Sequence, residues 1–129
     1  ETCGRCHRET ADDFLTSPHY RTFKRLTDAG EERNPSCLPC HTTGYLRFSG
    51  YDPGAEEQGG LNLRGVQCEA CHGPGTAHSR DGEMRRRARQ ACSECHDARR
   101  SPHFVFQTFW EKVGHRALAD SAGAAEAHR

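Results

Sequence analysis

The sequence predicts a mainly α chain: short helices and long irregular loops around an interior that its own side chains cannot fill. Three observations carry this. The pentapeptide C-x-x-C-H occurs four times, as Cys3-Gly4-Arg5-Cys6-His7, Cys37-Leu38-Pro39-Cys40-His41, Cys68-Glu69-Ala70-Cys71-His72 and Cys92-Ser93-Glu94-Cys95-His96. Only 33% of the 129 residues are hydrophobic, a poor supply of apolar surface for a protein-only core and closer to a disordered composition. Helix signals punctuate the intervals: Ser17-Pro18 and Ser101-Pro102 set Ser as N-cap before Pro at the first helical position, and Gly30 is a stop.

C-x-x-C-H is the attachment signature of c-type haem. The two thiols add across the haem vinyl groups, and the following His delivers its imidazole to the iron from the same turn. The four motifs use all eight cysteines. The alternatives are a redox dithiol, paired C-x-x-C zinc sites and a disulfide scaffold. None explains a His after every pair. The reading is four covalently attached haem c groups held by Cys3, Cys6, Cys37, Cys40, Cys68, Cys71, Cys92 and Cys95. His7, His41, His72 and His96 are then the proximal ligands. The fold class that follows is a small multihaem cytochrome c fold with a haem-filled core. The chain without haem is expected to be unfolded, as small metallo-domains are without their metal.

By length this is one domain, read as a tetrahaem domain over 1–115 with a C-terminal tail or linker over 116–129. Lys and Arg number 18, as do Asp and Glu. Four oxidised haems would add about −4 through their propionates, and four reduced ones about −8. Arg85, Arg86, Arg87 and Arg89 are placed to pair propionates bidentately or to form a solvated helix face. No wider basic surface supports nucleic-acid binding. No apolar run approaches a membrane span, and no signal peptide is present. Because c-type haem is attached outside the cytoplasmic membrane, the chain is expected to be periplasmic or extracellular, after removal of a signal peptide. It is then a processed form or a piece of something longer.

The motifs start at residues 3, 37, 68 and 92, an array without a fixed repeat. Thr10 or Asp12 starts a short turn after the first. The Ser17-Pro18 helix carries His19, Phe23 and Leu26 on one face at i, i+4 and i+7. On such a face a His is ordinarily core, but iron needing a second ligand favours ligation here. Residues 42–66 read as an irregular loop or weak hairpin with turns at Asp52-Pro53-Gly54 and Gly59-Gly60. Their aromatics Tyr45, Phe48 and Tyr51 pack on porphyrin or form a surface cluster. Gly73-Pro74-Gly75 breaks the chain after the third motif. His78 follows His72 too closely to reach the opposite face of the same haem comfortably, and is better placed for a neighbouring one. Gly82 to Ala91 reads as a helix feeding the fourth motif. Phe106, Trp110 and Val113 form a last apolar stripe, with His103 and His115 at the two ends of one helix.

Nine His are present, four of them proximal. His19, His78, His103, His115 and His128 remain for at most four distal positions. Most or all haems are expected to be bis-His and low-spin, with low potentials. Met84, the only Met, is superfluous as a ligand. His128 lies in the tail, an inert surface residue or a ligand to a haem on a neighbouring subunit.

Several blocks carry a resemblance. They are Glu1-Thr2-Cys3 with the first motif, Ser17-Pro18-His19, Cys40-His41-Thr42-Thr43-Gly44-Tyr45, and Gly65 through Gly75 with His78. The fourth motif with Ser101-Pro102 and Phe109-Trp110…His115 completes the set. Together they resemble the tetrahaem cytochrome c-554 family, whose best-known members shuttle electrons in nitrifying bacteria. The resemblance implies a mainly helical fold with stacked and roughly perpendicular haem pairs and crossed ligation. By that pattern His78 serves the haem of His7, His19 that of His72, and His115 that of His96. The haem of His41 can be five-coordinate in the family, and His103 stands as the residue to fill that position.

The expected function is electron transfer along a short haem wire, with other redox proteins as donor and acceptor. An alternative is a haem-bearing subunit of a multihaem filament or larger respiratory complex, through self-assembly with haem contacts between subunits. A third is a nitrogen-oxide or hydroxylamine redox enzyme, which requires the haem of His41 to be five-coordinate; otherwise the chain is no enzyme.

Overall fold

The computed structural model describes residues 3–57, 59, 62–75, 78 and 88–113. Among them the chain is mainly helical, and the one strand-like feature is an isolated antiparallel bridge between Thr42 and Arg64. The chain divides into two compact units, Glu1–Ser17 with Val105–Arg129, and Pro18–Phe104.

In the first unit a single 3-10 turn, Cys3–Arg5, runs into helix α1 (Arg8–Leu15). The helix begins directly after His7, whose carbonyl accepts the Ala11 N–H at 2.9 Å, earlier than the start at Thr10 or Asp12 that the sequence suggests. Thr10, Ala11 and Phe14 form its half-buried face. The last described helix, α7 (Phe106–Val113), belongs to the same unit. Its Phe106 and Trp110 rings stack at 5.8 Å, one turn apart, as the apolar stripe predicts.

The second unit holds helices α2 (Thr22–Ala29), α3 (Leu38–His41), α4 (Pro53–Glu57), α5 (Cys68–His72) and α6 (Ala88–Cys95). Gly30 ends α2 in the left-handed conformation at φ 70°, and the Glu31 N–H reaches back to the Leu26 carbonyl at 2.8 Å, a Schellman closure. Phe23 and Leu26 from α2, Leu38 from α3 and Tyr51 form the buried cluster. Leu38, between the two cysteines of the second motif, is the most enclosed at 1% exposure. Phe48 and Leu46 are instead fully or largely exposed, so of the three aromatics in residues 42–66, Tyr51 is buried, Tyr45 packs at the edge of the cluster and Phe48 faces outward.

Two local expectations are corrected. Neither Ser-Pro pair opens a helix directly. In each case a turn follows and the helix starts four residues after the Pro, at Thr22 and at Phe106. His19 therefore lies in the turn before α2, off the face it was expected to share with Phe23 and Leu26. The causes are tertiary. The His19 carbonyl accepts the Val66 N–H at 3.0 Å, and the Ser101 hydroxyl is engaged by the His96 ring at 3.1 Å, so it caps nothing. Asp52-Pro53-Gly54, expected as a turn, begins α4, because Asp52 Oδ1 accepts the Gly54 and Ala55 N–H groups at 2.8 and 3.4 Å.

Candidate functional site: the cysteine–histidine motifs

The four motifs adopt one local form: the cysteines lie on or beside a short helical turn, and the His closes it. In the third, α5 spans Cys68–His72 and ends at Gly73, φ 80°, whose N–H bonds the Glu69 carbonyl. Glu69 Oε1 then accepts the Gly75 N–H at 2.8 Å, which folds Gly73-Pro74-Gly75 back over the motif. In the fourth, α6 runs through Cys92 and Cys95, and the His96 N–H bonds the Cys92 carbonyl at 2.8 Å. At the first motif an open cleft of about 360 Å³ is lined by Cys6, His7, Arg8, Glu9 and Thr10.

The second, third and fourth motifs converge. Cys95 lies within hydrogen-bonding reach of Cys40 and feels the charge of Cys71, which in turn feels Cys92 and Cys68. No disulfide joins any of the eight cysteines. Burial, then the neighbouring thiols and Glu94, pushes Cys95 up to about 12. Burial also pushes Cys71 and Cys92 up. Redox-active C-x-x-C pairs lower a thiol pKa to make a nucleophile at neutral pH; these shifts run the other way. Nor do three or more Cys, His, Asp or Glu side chains meet as one metal ion requires, among the described residues.

A knot of long-range hydrogen bonds ties the approach to the third motif to the second motif and to the His19 turn. Gly65 N–H donates to the His41 carbonyl at 3.1 Å, and Val66 N–H to that of His19. The buried Thr43 hydroxyl donates to the Gly65 carbonyl and accepts from the Gln67 N–H, both at 2.8 Å. Gly65 sits at φ 78°, and a Cβ there would lie 2.5 Å from the Tyr20 carbonyl oxygen. Only glycine fits. These residues were invisible as site residues in the sequence, because each acts on a partner some 20 or more positions away.

Two imidazoles are oriented in a way that suits an iron. His41 Nδ1 lies 2.8 Å from the Thr22 carbonyl oxygen and 3.0 Å from its hydroxyl. His96 Nδ1 lies 3.1 Å from Ser101 Oγ, and Phe104 stacks on its ring at 4.6 Å. Metal-binding histidines commonly anchor one ring nitrogen this way while the other ligates. The His19 ring stands 6.1 Å from the His96 ring, with their planes at 80°. An imidazole nitrogen lies about 2.0 Å from a bound metal and about 1.1 Å from its own ring centre, so trans imidazoles on one metal place their centres about 6.2 Å apart. Burial, then the proximity of His96, lowers the His19 pKa, and burial lowers that of His96. Both shifts favour the neutral imidazole, the form that can ligate.

The other sequence-predicted ligands are less defined. His7 is exposed, His72 and His78 are half-buried, and His103 is exposed in the turn before α7. His115 and His128 lie outside the described residues, as do Met84, Arg85, Arg86, Arg87 and most of the helix expected over 82–91.

Thiol pairs on helical turns, each closed by a His, with anchored imidazoles among them, define a c-type haem protein. The comparisons with known proteins agree. The family model described as "Cytochrome c554 and c-prime" matches residues 2–73, and the chain belongs to that family. Cytochrome c-554 of Nitrosomonas europaea is 27% identical over an alignment that covers 57% of this chain. The aligned part spans 36% of that relative's length. No solved structure matches the chain. Membership brings covalently bound haem c. Among the described residues, no helix is long and apolar enough to cross a membrane.

Proposed function

We propose that the chain carries four haem c groups, one per motif, and passes electrons between redox partner proteins without chemistry of its own. Each haem supplies a one-electron Fe(III)/Fe(II) couple. The protein supplies attachment, axial imidazoles and hydrogen bonds that tune them.

The observation that carries this reading is the convergence of the second, third and fourth motifs within one unit, with the Cys40 and Cys95 thiols in contact. Haems attached there would start from neighbouring anchor points, the closeness that an electron wire needs. The spacing and crossed planes of His19 and His96 support these two as ligands of one haem. That differs from the crossed pattern the resemblance implies, in which His19 serves the haem of His72. His78 and His115 then remain as second ligands for other haems, and His103 for the haem of His41. Because covalent haem attachment takes place outside the cytoplasmic membrane, the protein acts there.

Spectropotentiometry tests the function. Stepwise reduction through several overlapping low-potential one-electron waves, with low-spin spectra, is expected. A single wave, or a dominant high-spin ferric signal that shifts on adding nitric oxide or hydroxylamine, would replace the wire with an enzyme.

A further inference from the structure

Residues 19 to 22 touch two haem motifs at once. His19, at one end, lies against His96 of the fourth motif. Thr22, at the other, presents its carbonyl oxygen at 2.8 Å and its hydroxyl at 3.0 Å to Nδ1 of His41, in the second motif. The Thr22 N–H closes the turn on the His19 carbonyl at 3.3 Å. The turn is held from the other side by Val66 N–H on that same carbonyl and by the close approach of Gly65 to Tyr20.

We infer that Thr22 is the positioning residue of the second haem, and that the His19–Thr22 turn links the second haem to the fourth. The inference rests on the four-haem reading above. With Nε2 of His41 on iron, Nδ1 carries the proton, so both Thr22 oxygens accept from one N–H. Two acceptors pull that N–H toward imidazolate, which strengthens the ring as a donor. A stronger donor favours ferric iron and lowers the potential. The carbonyl fixes the ring's tautomer and direction. The hydroxyl is the adjustable half, because a side chain can be changed where a main-chain oxygen cannot. Neither oxygen touches the porphyrin; Thr22 works entirely through His41. The same short turn carries His19, so one stretch of main chain joins the ring beside His96 to the oxygens on His41. The Cys40–Cys95 contact places the attachment points of those two haems side by side, so the link joins two haems that would already be close neighbours.

The test is Thr22→Val, which keeps the shape and removes the hydroxyl, with Thr22→Ser as the conservative control. Each holoprotein is checked by intact mass and titrated spectropotentiometrically. The expected result is four haems in all three proteins, one midpoint of four raised in Thr22→Val, and that midpoint restored in Thr22→Ser. A purely structural role for Thr22 would lower the melting temperature and leave the midpoints in place. Four unmoved midpoints in a folded Thr22→Val protein with four haems overturn the inference alone. A parent protein lacking haem on Cys37 and Cys40 overturns the four-haem reading and this inference with it, and the mass distinguishes the two failures.

Discussion

His19 and His96 face each other across 6.1 Å with ring planes at 80°, although one begins the second unit and the other closes its last haem motif. That spacing underlies the proposal that the two would serve one haem iron. His19→Ala is therefore expected to convert one haem from low to high spin. Paramagnetic NMR, with the haems assigned to their cysteines, should identify that haem as the one on Cys92 and Cys95. High spin appearing instead at Cys68 and Cys71 would restore the crossed pattern of the family.

Acid should loosen the same pair. Burial holds the pKa of His19 and His96 below 6.5, whereas in the unfolded chain each returns to about 6.5. The unfolded state thus binds more protons, and stability falls as pH drops below 6.5 toward the lowered folded values. Protonation also removes the lone pair that iron needs. An acid titration followed in the visible region should show low-spin absorbance giving way to high-spin on the acid side of pH 6.5. His19→Ala should remove one step of that change.

Gly65→Ala should be costly for its size. The residue sits at φ 78°, and the new Cβ would lie 2.5 Å from the Tyr20 carbonyl oxygen. Backbone is on both sides of the clash, so relief moves the His19–Thr22 turn. A loss of more than about 1 kcal/mol in chemical denaturation is expected. A neutral result would show that the turn is not pinned by the approach of Gly65.

Leu38→Ala probes the small protein core. Leu38 is 1% exposed and lies inside the second motif. Truncation should cost about 2–5 kcal/mol, with the second haem the first to lose its low-temperature spectrum on heating. Loss spread evenly over all haems would mean that Leu38 supports the whole unit rather than its own motif.

The motifs were legible in the sequence as local helical turns, because each is packed into five residues. Gly30 and Gly73 were legible as helix ends for the same reason. The Ser-Pro signals misled: the Ser101 hydroxyl goes to His96, and the His19 carbonyl to Val66. A local cap loses when its atoms are wanted by a distant partner. The Asp52 helix start was hidden behind a Pro-Gly pair that fits a turn equally well. Thr43 and Gly65 stood in the blocks that carry the resemblance but with no role of their own, and Thr22 gave no signal, since a threonine reads the same whether its hydroxyl meets water or a ring nitrogen. The partner of His19 was likewise beyond sequence. Counting ligands says how many imidazoles are available, and only the fold brings His19 beside His96.

Among the described residues the buried core is Phe23, Leu26, Leu38 and Tyr51, and the proposal fills the rest of the interior with haem. Intact mass under denaturing conditions tests this most directly, because thioether-linked haem survives where ligated haem would leave. The result predicted is the mass of the polypeptide plus four haems. A mass short of four, with any motif's thiols open to alkylation, would contradict it.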